Sequence, residues 1–93
     1  ALMFGAKGAI PATGNVAPEL TVGIYRSFLA GDLAVARSFQ DRLAHVRLAM
    51  TLATGNGAVK EALTLLGRPA GPNRRPISPL ADDKLAKLRA ALT

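Results

Sequence analysis

The chain has 93 residues, 49% apolar but only 4% aromatic, with 12 Lys and Arg against 6 Asp and Glu for a net charge of +6. It has no cysteine, which excludes a disulfide framework or a thiolate metal site and fits a reducing compartment. No apolar run approaches the ~18 residues of a transmembrane helix, and no charged leader precedes an apolar block.

In chain order, 1–4 reads as the tail of an element whose start lies upstream, since the chain opens on Ala1 rather than methionine. Gly5 and Gly8 bracket a turn. Residues 9–12 then read as a short buried strand, although Pro11 lacks a backbone donor and so belongs at an edge or an end. An unpaired strand is not stable in water, and nothing else in the chain reads as a strand. Thr13, Gly14 and Asn15 supply turn chemistry. Pro18 suits a first helical turn and Glu19 complements the helix dipole, which predicts a helix over about 17–30 with Leu20, Ile24, Phe28 and Leu29 as its apolar stripe.

Gly31 ends that helix and Asp32 caps the next, predicted over about 32–54. Its stripe is Leu33, Ala36, Phe39, Leu43, Val46 and Met50, and it stops at Gly55, Asn56 and Gly57. A shorter helix over about 58–66 turns Val59, Ala62, Leu63 and Leu66 inward and ends at Gly67. Four prolines in 68–79 forbid helix and favour an extended connector, pinned by Ile77 and Leu80. A last helix over about 82–92 starts at Asp82 and Asp83 and buries Leu85, Leu88 and Leu92.

The residues alone contain no complete active site. His45 is the single histidine, so a multi-ligand zinc site is not available and the ring reads as a surface or packing group. Asp82 and Asp83 read as helix-start charges rather than a cation site. Gly5, Gly8 and Gly14 match neither the dinucleotide fingerprint nor the P-loop. None of Lys7, Lys60, Lys84 and Lys87 has a desolvated setting that would make it a Schiff-base nucleophile. The net charge raises nucleic-acid binding, but only Arg74 and Arg75 are adjacent and no aromatics interleave to stack bases.

Three stretches read together resemble the C-terminal part of the dihydrodipicolinate synthase / N-acetylneuraminate lyase family. They are GAKGAIPATGNVAPEL at 5–20, the G-D-x-x-x-A-R opening at 31–37, and KEALTLLG at 60–67 followed by GPNR at 71–74 and PISPL at 76–80. The resemblance implies an α/β fold: the last strand (9–12) and helix (17–30) of a (β/α)8 barrel, then a three-helix appendage over 31–93, this segment being mostly α. It also implies a class I aldolase, lyase or dehydratase acting on pyruvate or another 2-oxo acid, without a cofactor or metal. The family's Schiff-base lysine and proton-shuttling tyrosine would lie upstream, and Lys7 and Lys60 do not match that lysine. What falls here is pocket wall: Ile10 beside the Schiff-base carbon, Ala12 where sialic-acid lyases carry serine, and Thr13 on the rim. Alanine at 12 cannot donate the hydrogen bond that serine gives a sialic-acid tail, and Pro11 departs from the usual serine or glycine. Asn15 matches a recurrent asparagine that closes the turn. A cytoplasmic homo-oligomer, dimer or tetramer, with no nucleic acid or membrane partner, completes the implied picture.

Two further readings accompany it. A free-standing basic helical module, binding nucleic acid or an acidic partner, accounts for charge and helix content but leaves 9–12 unpaired. Helices kept as an oligomerisation surface form the third, which no feature of the sequence isolates.

Overall fold

The computed structural model describes residues 1–54 and 56–93. Gly55, expected in the turn after the second helix, lies outside the described residues. Among the described residues four helices form: α1 (Pro18–Leu29), α2 (Leu33–Ala49), α3 (Gly57–Leu65) and α4 (Asp82–Leu92). Short 3-10 turns lie at Leu2–Phe4, Ala12–Asn15 and Met50–Leu52.

The strand expected at 9–12 does not form within this segment: among the described residues there is no strand. A strand exists through ladder hydrogen bonds to a neighbour, and no such ladder is present among the described residues. Pro11 keeps extended geometry, with φ −80° and ψ 136°, but Ala12 opens the 3-10 turn instead of ending a strand.

α1 and α2 make the most extensive contact in the chain and form a helical hairpin. The reversal uses Gly31 at φ 79°, a left-handed conformation that glycine adopts without a Cβ penalty. Asp32 caps α2, its Oδ1 accepting from Val35 N at 3.0 Å. Asp32→Ala removes that acceptor and is expected to destabilise the protein by about 1 kcal/mol, read as a lower chemical-unfolding midpoint, with Asp32→Ser losing less.

Along α2, Leu43 and Val46 are buried and Phe39 is half-buried, as the spacing requires. Leu33 departs from the predicted stripe and is 51% exposed. It stands in the first turn of α2 and lines an open groove together with residues of α1. The α-helix also stops at Ala49, short of residue 54, and tightens into the 3-10 turn. There Thr51 Oγ1 donates to the Leu48 carbonyl at 2.6 Å, giving that carbonyl a side-chain partner near the helix end.

α4 packs across α2 and α3, and Leu88 at its centre is fully buried. α3 meets this core through Val59 and Ala62, while Leu66 at its end is 39% exposed. Leu66 sits at the C-cap, past the last residue of the helix, where the chain turns away from the core. Ile77 and Leu80 pin the connector over Gly57: a Cβ built there would lie 3.5 Å from Ile77 Cγ2 and 3.8 Å from Leu80 Cδ1.

The radius of gyration is 14.5 Å, larger than the ~12 Å of a compact domain of this length. Met3, Phe4, Ile10 and Leu29 stay more than three-fifths exposed. The elongated shape and the bare apolar side chains describe a body whose apolar surface is only partly covered by its own residues.

Candidate functional site: the turn at 10–16 and the groove beside it

The turn is built by its own hydrogen bonds. Gly14 N donates to the Pro11 carbonyl at 2.9 Å, and Val16 N and Ala17 N donate to the Thr13 carbonyl at 3.1 and 2.8 Å. Asn15 Nδ2 donates to the Ala12 carbonyl at 3.1 Å, so the asparagine side chain closes the turn. Val16 and Ala17 are buried beneath it, and Pro18 starts α1 immediately afterwards. The turn is therefore joined directly to the N-terminus of α1.

The three wall residues read from the sequence are not gathered into one pocket by this chain. Ile10 projects fully into solvent, Ala12 is exposed, and Thr13 is buried at 8% exposure. Leaving an isoleucine side chain in water forfeits about 1.5–3 kcal/mol relative to burial. Ile10 thus has an apolar side chain that nothing among the described residues covers.

Beside the turn lies an open groove of about 810 Å³, between the first eleven residues and the α1–α2 hairpin. Its lining is mainly apolar, with Leu2, Pro11, Tyr25, Phe28 and Leu43 among the residues, and Lys7 and Arg37 reach it as well. Sequence reading missed this groove, because helical spacing shows which residues share a face but not which face lacks a partner. A second, smaller groove between α2 and α4 includes His45, Arg42 and Lys87. Among the described residues no group of three His, Cys, Asp or Glu side chains could hold a metal ion, and no helix is long and apolar enough to cross a membrane.

Lys60 Nζ donates to the Pro72 carbonyl at 3.2 Å, which ties α3 to the connector. Its ammonium thus has a structural partner away from the turn. Arg68 Nη2 donates to the Val16 carbonyl at 3.1 Å, across 52 residues of chain. No pattern in the sequence signals that contact, since its two partners are remote and neither lies in a motif.

With this architecture in view, the chain can be placed among proteins. All of it, residues 1–93, matches the family model of the Dihydrodipicolinate synthetase family, and the chain belongs to that family. It is similar to 4-hydroxy-tetrahydrodipicolinate synthase of Methanothrix thermoacetophila, at 42% identity over 92 residues, covering 99% of this chain and 31% of the relative. A solved structure described as the first monomeric dihydrodipicolinate synthase variant superposes with a TM-score of 0.92 at 30% identity, over 98% of this chain and 30% of that one. The structure of YagE, a prophage protein of the same family from E. coli K12 in complex with pyruvate, gives a TM-score of 0.87 at 34% identity, over 98% of this chain and 31% of that one. The chain spans about three-tenths of the length of the curated relatives it matches.

Proposed function

We propose that this chain is the C-terminal segment of a Schiff-base-forming lyase or hydro-lyase acting on pyruvate or another 2-oxo acid. In this reading it closes the barrel and supplies pocket wall, while the reactive lysine lies upstream. The observation that carries the proposal is a family match along the whole chain that accounts for only 31% of a relative's length. The pyruvate complex of YagE supports the substrate class.

In this reading residues 9–12, running into the turn, take the place of the eighth strand and its C-terminal loop, and α1 is the eighth barrel helix. The ladder partners of that strand are the seventh and first strands of the intact barrel. The exposed face of α1, with Val22 and Tyr25, and the groove beside it are where the remainder of the barrel packs. α2, α3 and α4 form the appendage. Ile10 borders the bound 2-oxo acid with its otherwise uncovered side chain, and Ala12 and Thr13 shape the rim at the C-terminal end of the strand, where barrel chemistry sits.

The chemistry is amine condensation with the substrate ketone, releasing water and leaving an imine that acts as electron sink for C–C or C–O cleavage. This chain's residues border and orient the carbon chain of the substrate. Treatment of the full-length protein with pyruvate and borohydride is expected to leave a stable adduct, detected by intact mass. Absence of an adduct would count against the proposal.

A further inference from the structure

We infer that Arg68 is a positioning residue for the pocket rim, holding the 12–16 turn in place from the appendage. This deepens the function proposed above and rests on it. Its guanidinium donates to the Val16 carbonyl at 3.1 Å in a partly buried setting. Val16 is itself 3% exposed, and its amide donates back to Thr13, the rim residue. The path from Arg68 to the rim is therefore one side-chain hydrogen bond and one backbone hydrogen bond.

The position of Arg68 is set by how α3 ends. Gly67 is left-handed at φ 75°, Gly67 N donates to the Thr64 carbonyl at 3.0 Å, and Arg68 N donates to the Leu63 carbonyl at 2.8 Å. This pair of bonds is the Schellman closure, which fixes the direction in which the next residues leave the helix. Arg68 is the second residue past the helix cap, and the closure holds its backbone. A guanidinium carries its donors in a rigid fork and stays charged, so the hydrogen bond to Val16 is charge-assisted. The turn is held from the α1 side by its own backbone bonds and from the α3 side by Arg68. Without the arginine the second support goes and the Val16 carbonyl loses its side-chain donor, although Val16 also packs in the buried cluster that includes Leu88.

The test uses the full-length protein and reads the pyruvate concentration giving half-maximal borohydride trapping. For Arg68→Met, which keeps much of the bulk but no donor, that concentration should rise about tenfold, the scale of one charged hydrogen bond. The limiting trapping rate at saturating pyruvate should stay within about twofold, and the melting temperature should fall by no more than about 2–4 °C, the scale of one lost hydrogen bond in a protein of a few hundred residues. Arg68→Lys should recover part of the affinity. An unchanged half-saturation in Arg68→Met, with or without a lower melting temperature, would overturn the assignment. Should Arg68→Met not fold, Arg68→Gln, which keeps a neutral donor, carries the test: an intermediate rise supports the assignment and a wild-type value overturns it. Failure of the wild-type protein to trap pyruvate is a different result, and it would remove the proposed function instead.

Discussion

Leu88→Ala is expected to cost about 3 kcal/mol of stability, the largest loss for any single truncation in this chain. Leu88 is the large side chain that is fully buried among the described residues, and it stands where α4 meets the α2–α3 core. Truncation loses the transfer free energy of the removed carbons and leaves a cavity, together about 2–5 kcal/mol for buried leucines. Alanine's better helix propensity returns only a few tenths of a kcal/mol, far too little to offset this. The middle of the ~2–5 kcal/mol range is expected because the cluster around Leu88 mixes short side chains, Ala49 and Ala62, with longer ones at its edge, Met50 and Leu52, that can fill part of the space. The loss should appear as a lowered chemical-unfolding midpoint, with faster amide exchange in α4 than in α1. Equal exchange in both helices, with an unchanged midpoint, would contradict the packing described.

Gly23→Ala sets two effects of opposite sign against each other. Within a helix the change ordinarily gains up to about 1 kcal/mol. Here a Cβ would fall 2.9 Å from three atoms of the Phe39 ring, well inside the ~3.5–4.0 Å of ordinary carbon contact. The ring rests flat on the glycine, with the Arg42 guanidinium 5.8 Å from its centroid. Moving it means separating α1 from α2 or displacing that stack, an overpacking cost of about 1–3 kcal/mol. The clash wins, for a net loss of about 1 kcal/mol or somewhat more. In a Phe39→Leu background the clash disappears and the same substitution should be neutral or stabilising, so the double-mutant cycle isolates the contact. Additive effects would show that ring and glycine do not meet.

What the sequence discloses here is what local chemistry decides. Gly31 and Asp32 read as a stop and a cap, and the structure has the left-handed glycine and the capping carboxylate. Asn15 read as a turn-closing residue, and it bonds to the Ala12 carbonyl. Leu88 read as core from helical spacing alone and is fully buried. Non-local features escaped. Spacing put Leu33 on the core face, but the tip of the hairpin opens on a groove. A lone glycine at 23 carries no sign of the ring that will lie on it. Arg68 finds a carbonyl 52 residues away, which no window along the chain can contain. The segment at 9–12 is the sharpest case. Its composition suits a strand, but strand formation belongs to a pair of segments, and the described residues include no strand to pair with it.

For the candidate site, the sequence located the turn through family-like residues, and the structure adds its internal bonding and the groove beside it. Ile10 and Ala12 stay exposed and Thr13 is buried, so the chain by itself does not gather the three residues into one pocket.

Under the proposed function, these residues border a site whose reactive amine lies elsewhere in the protein. Peptide mapping of the pyruvate–borohydride adduct on the full-length protein tests it most directly. The account predicts one modified lysine, upstream of Ala1, with Lys7, Lys60, Lys84 and Lys87 unmodified. An adduct on any of those four lysines would contradict it.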